Sequence, residues 1–212
     1  MTSDLHIHPL DHTYYFNMEQ EDLHKVTLND TDKENILNVV KFCCYERKLD
    51  TIALTDHDMI QGSLEAAEMV KREGIPINIV TGAECSVFDP YGEEDNKEIH
   101  ILCLGIQKLP RYNIETPVDE LIAAARRLGA YIIMAHPAKY PEGFKRYCAL
   151  LDGFEFLNSD YAPFENGKAI LAKRGISLRP YNGSDFHYRG ELPPVSSSVW
   201  HSNTYETDPL RG

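Results

Sequence analysis

The segment Asp4-Leu5-His6-Ile7-His8 forms the chain's first predicted strand, which Pro9 ends. Side chains of an extended segment alternate between two faces, so the two histidines point to the same side. Two imidazoles on one face can reach a single metal ion. A polar strand face would carry the same pattern, so the segment alone leaves both interpretations open.

The composition and charge of the chain argue against a membrane protein and against a protein that binds long nucleic acid. The 212-residue chain is long enough for one domain with a sizeable core. Its formal net charge of -12 gives no general attraction to nucleic acid or anionic membranes. The five cysteines show no CxxC spacing, and no signal peptide or long apolar run is visible. We therefore expect a cytoplasmic, enzyme-like single domain over residues 1–212, with no membrane partner and no long nucleic acid as substrate.

Short apolar strands alternate with amphipathic helices along most of the chain. After the first strand, we predict strands at 51–55, 77–80, 99–105, 131–135, 153–157 and 176–181. Helices are predicted at about 31–48, 61–72, 117–128, 144–151 and 163–173. This alternation is typical of a parallel α/β sheet. With about seven strands in the main series, we expect a distorted seven-stranded (β/α)7 TIM-like barrel, with an extended loop at about 9–30.

Chemically active side chains recur where the predicted strands end. They are His6, His8, His57, Glu84, His136, Asp185 and His187, together with His100, which is early in its strand. The carboxyl ends of barrel strands form one face, so we expect these residues to converge there. Imidazole and carboxylate ligands without cysteine suit manganese, iron or zinc, and this many ligands would serve two or three ions.

Taken alone, these residues also have ordinary structural explanations. His57 could cap a helix, and His100 could be a satisfied core histidine. Glu84 could cap a loop, and His136 could shape the turn before Pro137. Their joint occurrence at corresponding strand ends is much harder to explain in this way, and it favours a metal site.

Six motifs resemble, in order, those of the PHP (polymerase and histidinol phosphatase) family. They are DLHIH at 4–8, TDHD at 55–58, GAE at 82–84, HIL at 100–102, AHP at 135–137 and GSDFH at 183–187. The resemblance covers the chain from about residue 4 to residue 200. It implies a distorted seven-stranded barrel and a metal-dependent phosphoesterase. In such an enzyme a metal-bridging hydroxide attacks a small phosphomonoester, here one resembling a nucleotide or histidinol phosphate.

The resemblance further implies a trinuclear metal centre. The ligands of the first ion would be His6, His8, Glu84 and Asp185. The second ion would share Glu84 and add His100 and His136. The third would take His57 and His187 with one ligand from the loop after the first strand.

That loop departs from the family pattern, so its metal ligand is the least defined. His12 is the expected ligand, with Asp11 and His24 as alternatives, and the site would hold two ions if none of them binds. The predicted catalytic residues are His57, Asp185 and His187.

Phosphate recognition calls for a cation near the metals. Lys139 follows His136 by three residues, and Arg189 follows His187 by two. A lysine would bind phosphate as a point charge and an arginine as a bidentate donor. We also expect Asp4, Asp56 and Asp58 to orient the imidazoles. Two other functions stay open: a phosphodiesterase or 3′-5′ exonuclease acting on short nucleotides, and a non-catalytic, metal-stabilised interaction domain.

Overall fold

The computed structural model describes residues 2–10, 15, 18–92, 97–197 and 203–204. Its strands are β1 (Thr2–His8), β2 (Thr51–Leu54), β3 (Asn78–Phe88), β4 (Glu98–Leu104), β5 (Tyr131–Met134), β6 (Gly153–Leu157), β7 (Arg179–Asn182), β8 (Phe186–His187) and β9 (Asn203–Thr204). Its α-helices are α1 (Gln20–Leu23), α2 (Asp30–Lys41), α3 (Gln61–Glu73), α4 (Val118–Arg126), α5 (Pro141–Tyr147) and α6 (Glu165–Arg174). A π-helical turn at Phe42–Glu46 extends α2, and a 3-10 turn at Cys148–Leu150 follows α5.

The strands form one mixed sheet that curls into a half-barrel. Their order is β7-β6-β5-β4-β3-β2-β1-β8, and β9 pairs with β1. The predicted α/β class is therefore confirmed, but the closed seven-stranded barrel is not. Among the described residues, no ladder joins β7 to β1. Instead, Asn203 bridges them, since its Nδ2 lies 2.7 Å from the carbonyl oxygen of Asn182 and 3.4 Å from that of Ser3.

The prediction of an all-parallel sheet was wrong at β4. This strand runs antiparallel to both β3 and β5. The connection from β3 spans only residues 89–97, whereas a parallel crossover needs a dozen or more residues. Reversal brings the start of β4 to the edge where the parallel strands end. His100 consequently pairs with Ser86, two residues past Glu84.

Apolar packing covers both faces of the curved sheet. One buried layer takes single residues from successive strands, including Leu5, Ala53, Leu102 and Ile133. Larger clusters pack the helices against the sheet, with α4 and α5 contributing Leu121 and Phe144. The polar side chains at the strand ends therefore project from a rigid core. None of the described helices combines the length and apolar character needed to span a membrane.

Candidate metal centre

The structure brings eight of the nine predicted metal ligands together at one edge of the sheet. They come from the ends of β1 and β8, the turns after β2 and β5, the β7–β8 link, and the facing parts of β3 and β4: His6, His8, His57, Glu84, His100, His136, Asp185 and His187. The ninth, His12, and the alternative Asp11 lie outside the described residues. His24, the other alternative, packs its ring on Tyr112, 5.0 Å between centroids.

The carboxylate of Glu84 lies at the centre of this cluster and is fully buried. Its Oε1 is 3.1 Å from both His100 Nδ1 and His136 Nε2. Three further imidazole nitrogens surround its Oε2: His57 Nδ1 at 3.1 Å, His6 Nε2 at 3.2 Å and His8 Nε2 at 3.3 Å. Five imidazoles thus converge on one carboxylate, and imidazole and carboxylate are donor types that hold divalent transition metals.

The spacing of these atoms fits a shared cation better than direct hydrogen bonds. Asp185 Oδ1 lies 3.2 Å from the Nε2 atoms of His6 and His8. Among the described residues, these three atoms and Glu84 Oε2 are buried without a well-oriented hydrogen-bond partner. Ligands about 2.1 Å from one ion, at angles between octahedral and tetrahedral, lie about 3.0–3.4 Å apart. The observed separations fall in this range, so the residues fit a divalent metal.

Three groups of side chains could each hold an ion. The group of His6, His8, Glu84 and Asp185 has the composition predicted for the first ion. The other two groups differ from the prediction: one joins His57 with Glu84 and His100, and the other joins His57 and His187 with His8. His136 belongs to none of these groups but contacts Glu84 directly. Because Glu84 has five histidine neighbours, the histidines can be divided among the metal ions in more than one way.

Several of the imidazoles have a partner for the second ring nitrogen, whereas His8 Nδ1 is buried without a hydrogen-bond partner among the described residues. His100 Nε2 is 2.7 Å from Glu98 Oε1, and His136 Nδ1 is 3.1 Å from the hydroxyl of Tyr140. His187 Nδ1 is 2.9 Å from the backbone carbonyl of Asp185. Histidines that bind metals nearly always donate their second N–H in this way, which fixes the tautomer and the ring orientation.

Opposite charges shift the pKa values of the central groups. Burial alone would raise the pKa of Glu84 and Asp185, but neighbouring histidines, led by His6, hold both well below their usual range. Burial alone would lower the pKa of His100, but Glu84 and then Glu98 outweigh it and raise this pKa to about 9. The pKa of His6 is raised for the same reason, chiefly by Asp185 and Glu155. Without metal, therefore, the cluster holds protons where cations would bind.

Two histidines behave in the opposite way. Burial lowers the pKa of His57 well below its ordinary value, with Glu84 only partly compensating. Burial, helped by the charge on His8, lowers the pKa of His187 to about 3. Both imidazoles are neutral near pH 7, as a metal ligand must be.

The expected role of three aspartates as partners of the imidazoles differs from their observed contacts. Asp4 accepts hydrogen bonds from the backbone amides of His6 and Ser184 and from Arg47. Asp56 accepts from the amide of Leu10, while Asp58 accepts from the amide of Ser86 and the hydroxyl of Tyr112. Among the described contacts, these three aspartates bind backbone amides around the site, together with the side chains of Arg47 and Tyr112, instead of the imidazoles.

Backbone strain is concentrated at the same place. Asp58, His136 and Asp185 have positive φ angles of 53°, 27° and 51° although none is glycine. Such conformations cost of order 1–3 kcal/mol each and persist only where surrounding contacts enforce them. The strain indicates that side-chain placement at this edge takes precedence over local backbone preference.

A cavity of about 530 Å³ lies over the cluster. Lys139 is the single Lys or Arg among its described lining residues. Arg189, the other predicted phosphate ligand, is exposed and does not belong to that lining. Six carboxylates also line the cavity: Glu19, Asp56, Asp58, Glu98, Asp160 and Asp185. An anionic substrate would therefore need bound cations to offset this negative charge.

Sequence reasoning missed Glu155 as a site residue. It lies in β6 and contacts the ring of His6. Its position between Phe154 and Phe156 was a usable signal, because a charged residue inside an apolar strand must find a partner. Asn158, which contacts both Glu155 and Asp185, carried no comparable signal.

Comparison with known proteins gives one partial sequence match and two similar folds. No family model matches the chain. A stretch of 61 residues is 36% identical to the 5'-3' exoribonuclease Rnm of Escherichia coli (strain K12), and this match covers 29% of the chain and 19% of that relative. The chain thus spans about a fifth of the length of the curated relative that it matches.

Two solved structures extend over nearly the whole chain. A Bifidobacterium adolescentis protein described as a metal-dependent phosphoesterase has a TM-score of 0.55 and 17% identity, covering 92% of this chain and 90% of its own. A Chromobacterium violaceum amidohydrolase, solved with sulfate and without metal, has a TM-score of 0.57 and 17% identity, covering 91% and 92%. The chain shares the fold of these two proteins.

Proposed function

We propose that the protein is a PHP-type, metal-dependent phosphoesterase that hydrolyses a small phosphomonoester. The observation that carries this proposal is the convergence of five imidazole nitrogens within 3.3 Å of the buried Glu84 carboxylate. This cluster lies beneath a cavity whose size suits a small molecule. In this interpretation, β7 and β8 are one interrupted strand, and Asn203 closes a distorted seven-stranded barrel at the interruption.

Two or three divalent manganese, iron or zinc ions would, when bound, activate water for attack on phosphorus and offset the negative charge of the phosphate. The first group of ligands would be His6, His8, Glu84 and Asp185, and the other five candidates would complete the remaining sites. His57, Asp185 and His187 line the cavity as well as the cluster, as do His8, His100 and His136. Among these six, we assign His57, Asp185 and His187 to the reacting atoms because the motif resemblance implies that role for them.

Lys139 would hold the phosphate. Its Nζ lies 5.3 Å from the ring centroid of Tyr140, whose hydroxyl contacts His136. The ammonium group is thus kept at the cavity beside one of the candidate metal ligands. Arg189, being exposed and outside the lining, is the weaker candidate for this role.

A phosphodiesterase acting on short nucleotides is the second candidate. The 61-residue match to a 5'-3' exoribonuclease favours it, although the direction in that relative's name is opposite to the 3′-5′ direction that the motifs suggest. The net charge of -12 disfavours long nucleic acid, but a dinucleotide or a short end would be compatible.

The proposal is tested by comparing an aryl phosphate monoester, a diaryl phosphate diester and an anilide, each with added manganese. We expect the monoester to be hydrolysed fastest, and His57→Ala and Asp185→Ala to lower its turnover by about 100-fold or more. Circular dichroism should show cooperative unfolding for both variants. Faster diester hydrolysis would favour the second candidate, and anilide cleavage would indicate an amidohydrolase. Metal binding with no turnover of any substrate would leave the non-catalytic interaction domain.

A further inference from the structure

Glu155 is a buried carboxylate that the proposed metal sites do not use as a ligand. It lies in β6 between two phenylalanines, and only 2% of its surface is exposed. A buried charge is costly unless hydrogen bonds satisfy its oxygen atoms. The hydrogen-bond partners of Glu155 therefore indicate its role.

Both oxygens of Glu155 face hydrogen-bond donors that belong to the cluster or adjoin it. Oε1 is 2.8 Å from His6 Nδ1. Oε2 accepts from the backbone N–H of His136 at 2.7 Å and from Asn158 Nδ2 at 3.0 Å. Asn158 Nδ2 also lies 3.1 Å from Asp185 Oδ2. One carboxylate and one amide thus connect three candidate ligands from three parts of the sheet.

The contacts of His6 indicate which of its two ring nitrogens carries the proton when the other binds a metal. Its Nε2 lies 3.2 Å from Glu84 Oε2 and from Asp185 Oδ1, on the side of the metal site. Its Nδ1 faces Glu155, and an ionised carboxylate only accepts hydrogen bonds. Nδ1 therefore keeps its proton, so a metal ion can displace only the proton on Nε2 and bind the lone pair of that nitrogen.

Two other features show that the contact is built into the fold. A Cβ atom at Gly183 would lie 2.0 Å from Glu155 Oε1 and 2.8 Å from His6 Cβ, so only glycine leaves room for the pair. The amide that Glu155 accepts from belongs to His136, whose φ of 27° is strained. The hydrogen bond helps to hold this strained residue in place.

We propose that Glu155 is a positioning residue that fixes the metal-binding tautomer of His6 and, through the His136 amide and Asn158, aligns two further ligands. The proposal rests on the proposed metal site, because a tautomer matters only if Nε2 binds an ion.

The test is Glu155→Gln, which keeps the size of the side chain but replaces one oxygen by an NH2 donor. If the NH2 faces His6, Nδ1 must become an acceptor, and the proton moves to Nε2. If the NH2 faces His136 and Asn158, it faces the backbone N–H of His136 and the side-chain NH2 of Asn158, and both hydrogen bonds are lost because all three groups are donors. Zinc affinity, measured by competition with a chelator, should fall about 10- to 100-fold. In zinc-loaded wild type, side-chain ¹⁵N spectra should show a protonated His6 Nδ1, and this signal should be lost or shifted in the variant.

Glu68→Gln is the matched control, since Glu68 is exposed on α3 and pairs only with Lys71 among its described contacts. It should bind zinc as the wild type does. A wild type that binds no zinc would refute the metal site itself. A wild type that binds zinc, with Glu155→Gln binding it within threefold of the wild-type affinity, would refute only the role of Glu155.

Asn158→Ala serves if Glu155→Gln does not fold. It removes the contact to Asp185 but keeps the one between Glu155 and His6. We expect zinc affinity to fall several-fold while the His6 tautomer stays unchanged. Wild-type affinity in this variant would overturn the alignment of Asp185, and a changed tautomer would overturn the assignment of the tautomer to Glu155.

Discussion

Replacing Glu84 with glutamine should remove most of the stabilisation that metal ions give to the fold. Glu84 belongs to two of the three groups that could hold an ion. Its Oε1 and Oε2 face two and three imidazole nitrogens, respectively, at 3.1–3.3 Å. Glutamine keeps one oxygen, carries no charge, and places an NH2 group where the second oxygen stood. Only the group of His8, His57 and His187 is left intact.

The size of the effect follows from mass action. A metal at about 1,000 times its dissociation constant stabilises the folded state by about 4 kcal/mol. For a chain of this length, each kcal/mol shifts Tm by about 2–4 °C, so the wild type should gain about 8–16 °C when manganese is added to chelator-treated protein. Glu84→Gln should gain less than about 4 °C. Because the measurement is a difference within each protein, a changed Tm of the metal-free variant does not affect it. An equal gain in variant and wild type, with Glu68→Gln as control, would refute the central role of Glu84.

Two further predictions concern the substrate and the pH. Lys139→Ala should raise KM for the aryl phosphate about tenfold with a smaller change in kcat. Arg189→Ala should leave both constants unchanged. If Arg189→Ala instead raises KM and Lys139→Ala does not, Arg189 is the phosphate ligand. In metal-free protein, His100 contributes up to about 3 kcal/mol of stability below pH 6.5, and this is lost as pH rises through its folded pKa of about 9. His187, with a pKa of about 3, acts oppositely, because the unfolded chain takes up the proton first as pH falls below 6.5. The joint contribution of these two histidines to the Tm of the chelator-treated protein should therefore peak near pH 6.5, and a contribution that is flat between pH 4 and pH 9 would contradict these shifts.

The sequence was sufficient to predict the strand-end cluster because its signals are local. His6 and His8 share a face through the two-residue period of a strand, and Asp185 with His187 repeats that spacing. Buried apolar segments ahead of His57 and His136 marked the ends of strands, whereas Glu84, which was also expected at a strand end, lies inside β3. Convergence then followed from the α/β alternation alone.

What the sequence could not determine depends on contacts between distant segments. The apolar run of β4 does not fix its register, so the pairing of His100 with Ser86, which places His100 beside Glu84, required the structure. The division of histidines among ions also depends on distances within the cluster. His8 belongs to the group that the motifs implied and also to a second group with His57 and His187.

The partners of the imidazoles illustrate the same limit. Adjacent aspartates such as Asp4 were the natural candidates by spacing, yet Asp4 binds Arg47 and two backbone amides. Glu155 reaches His6 across 149 positions of sequence, and no periodicity predicts such a pair. Only the cost of a charge inside the apolar strand Gly153–Leu157 hinted that Glu155 had a specific partner.

The metal content of protein purified without chelator tests the proposed centre most directly. Elemental analysis should find two or three manganese, iron or zinc ions per chain, and Glu84→Gln should retain at most one. A wild type with fewer than one such ion per chain, even after incubation with excess manganese, would contradict the metal centre that these histidines, Glu84 and Asp185 are proposed to form.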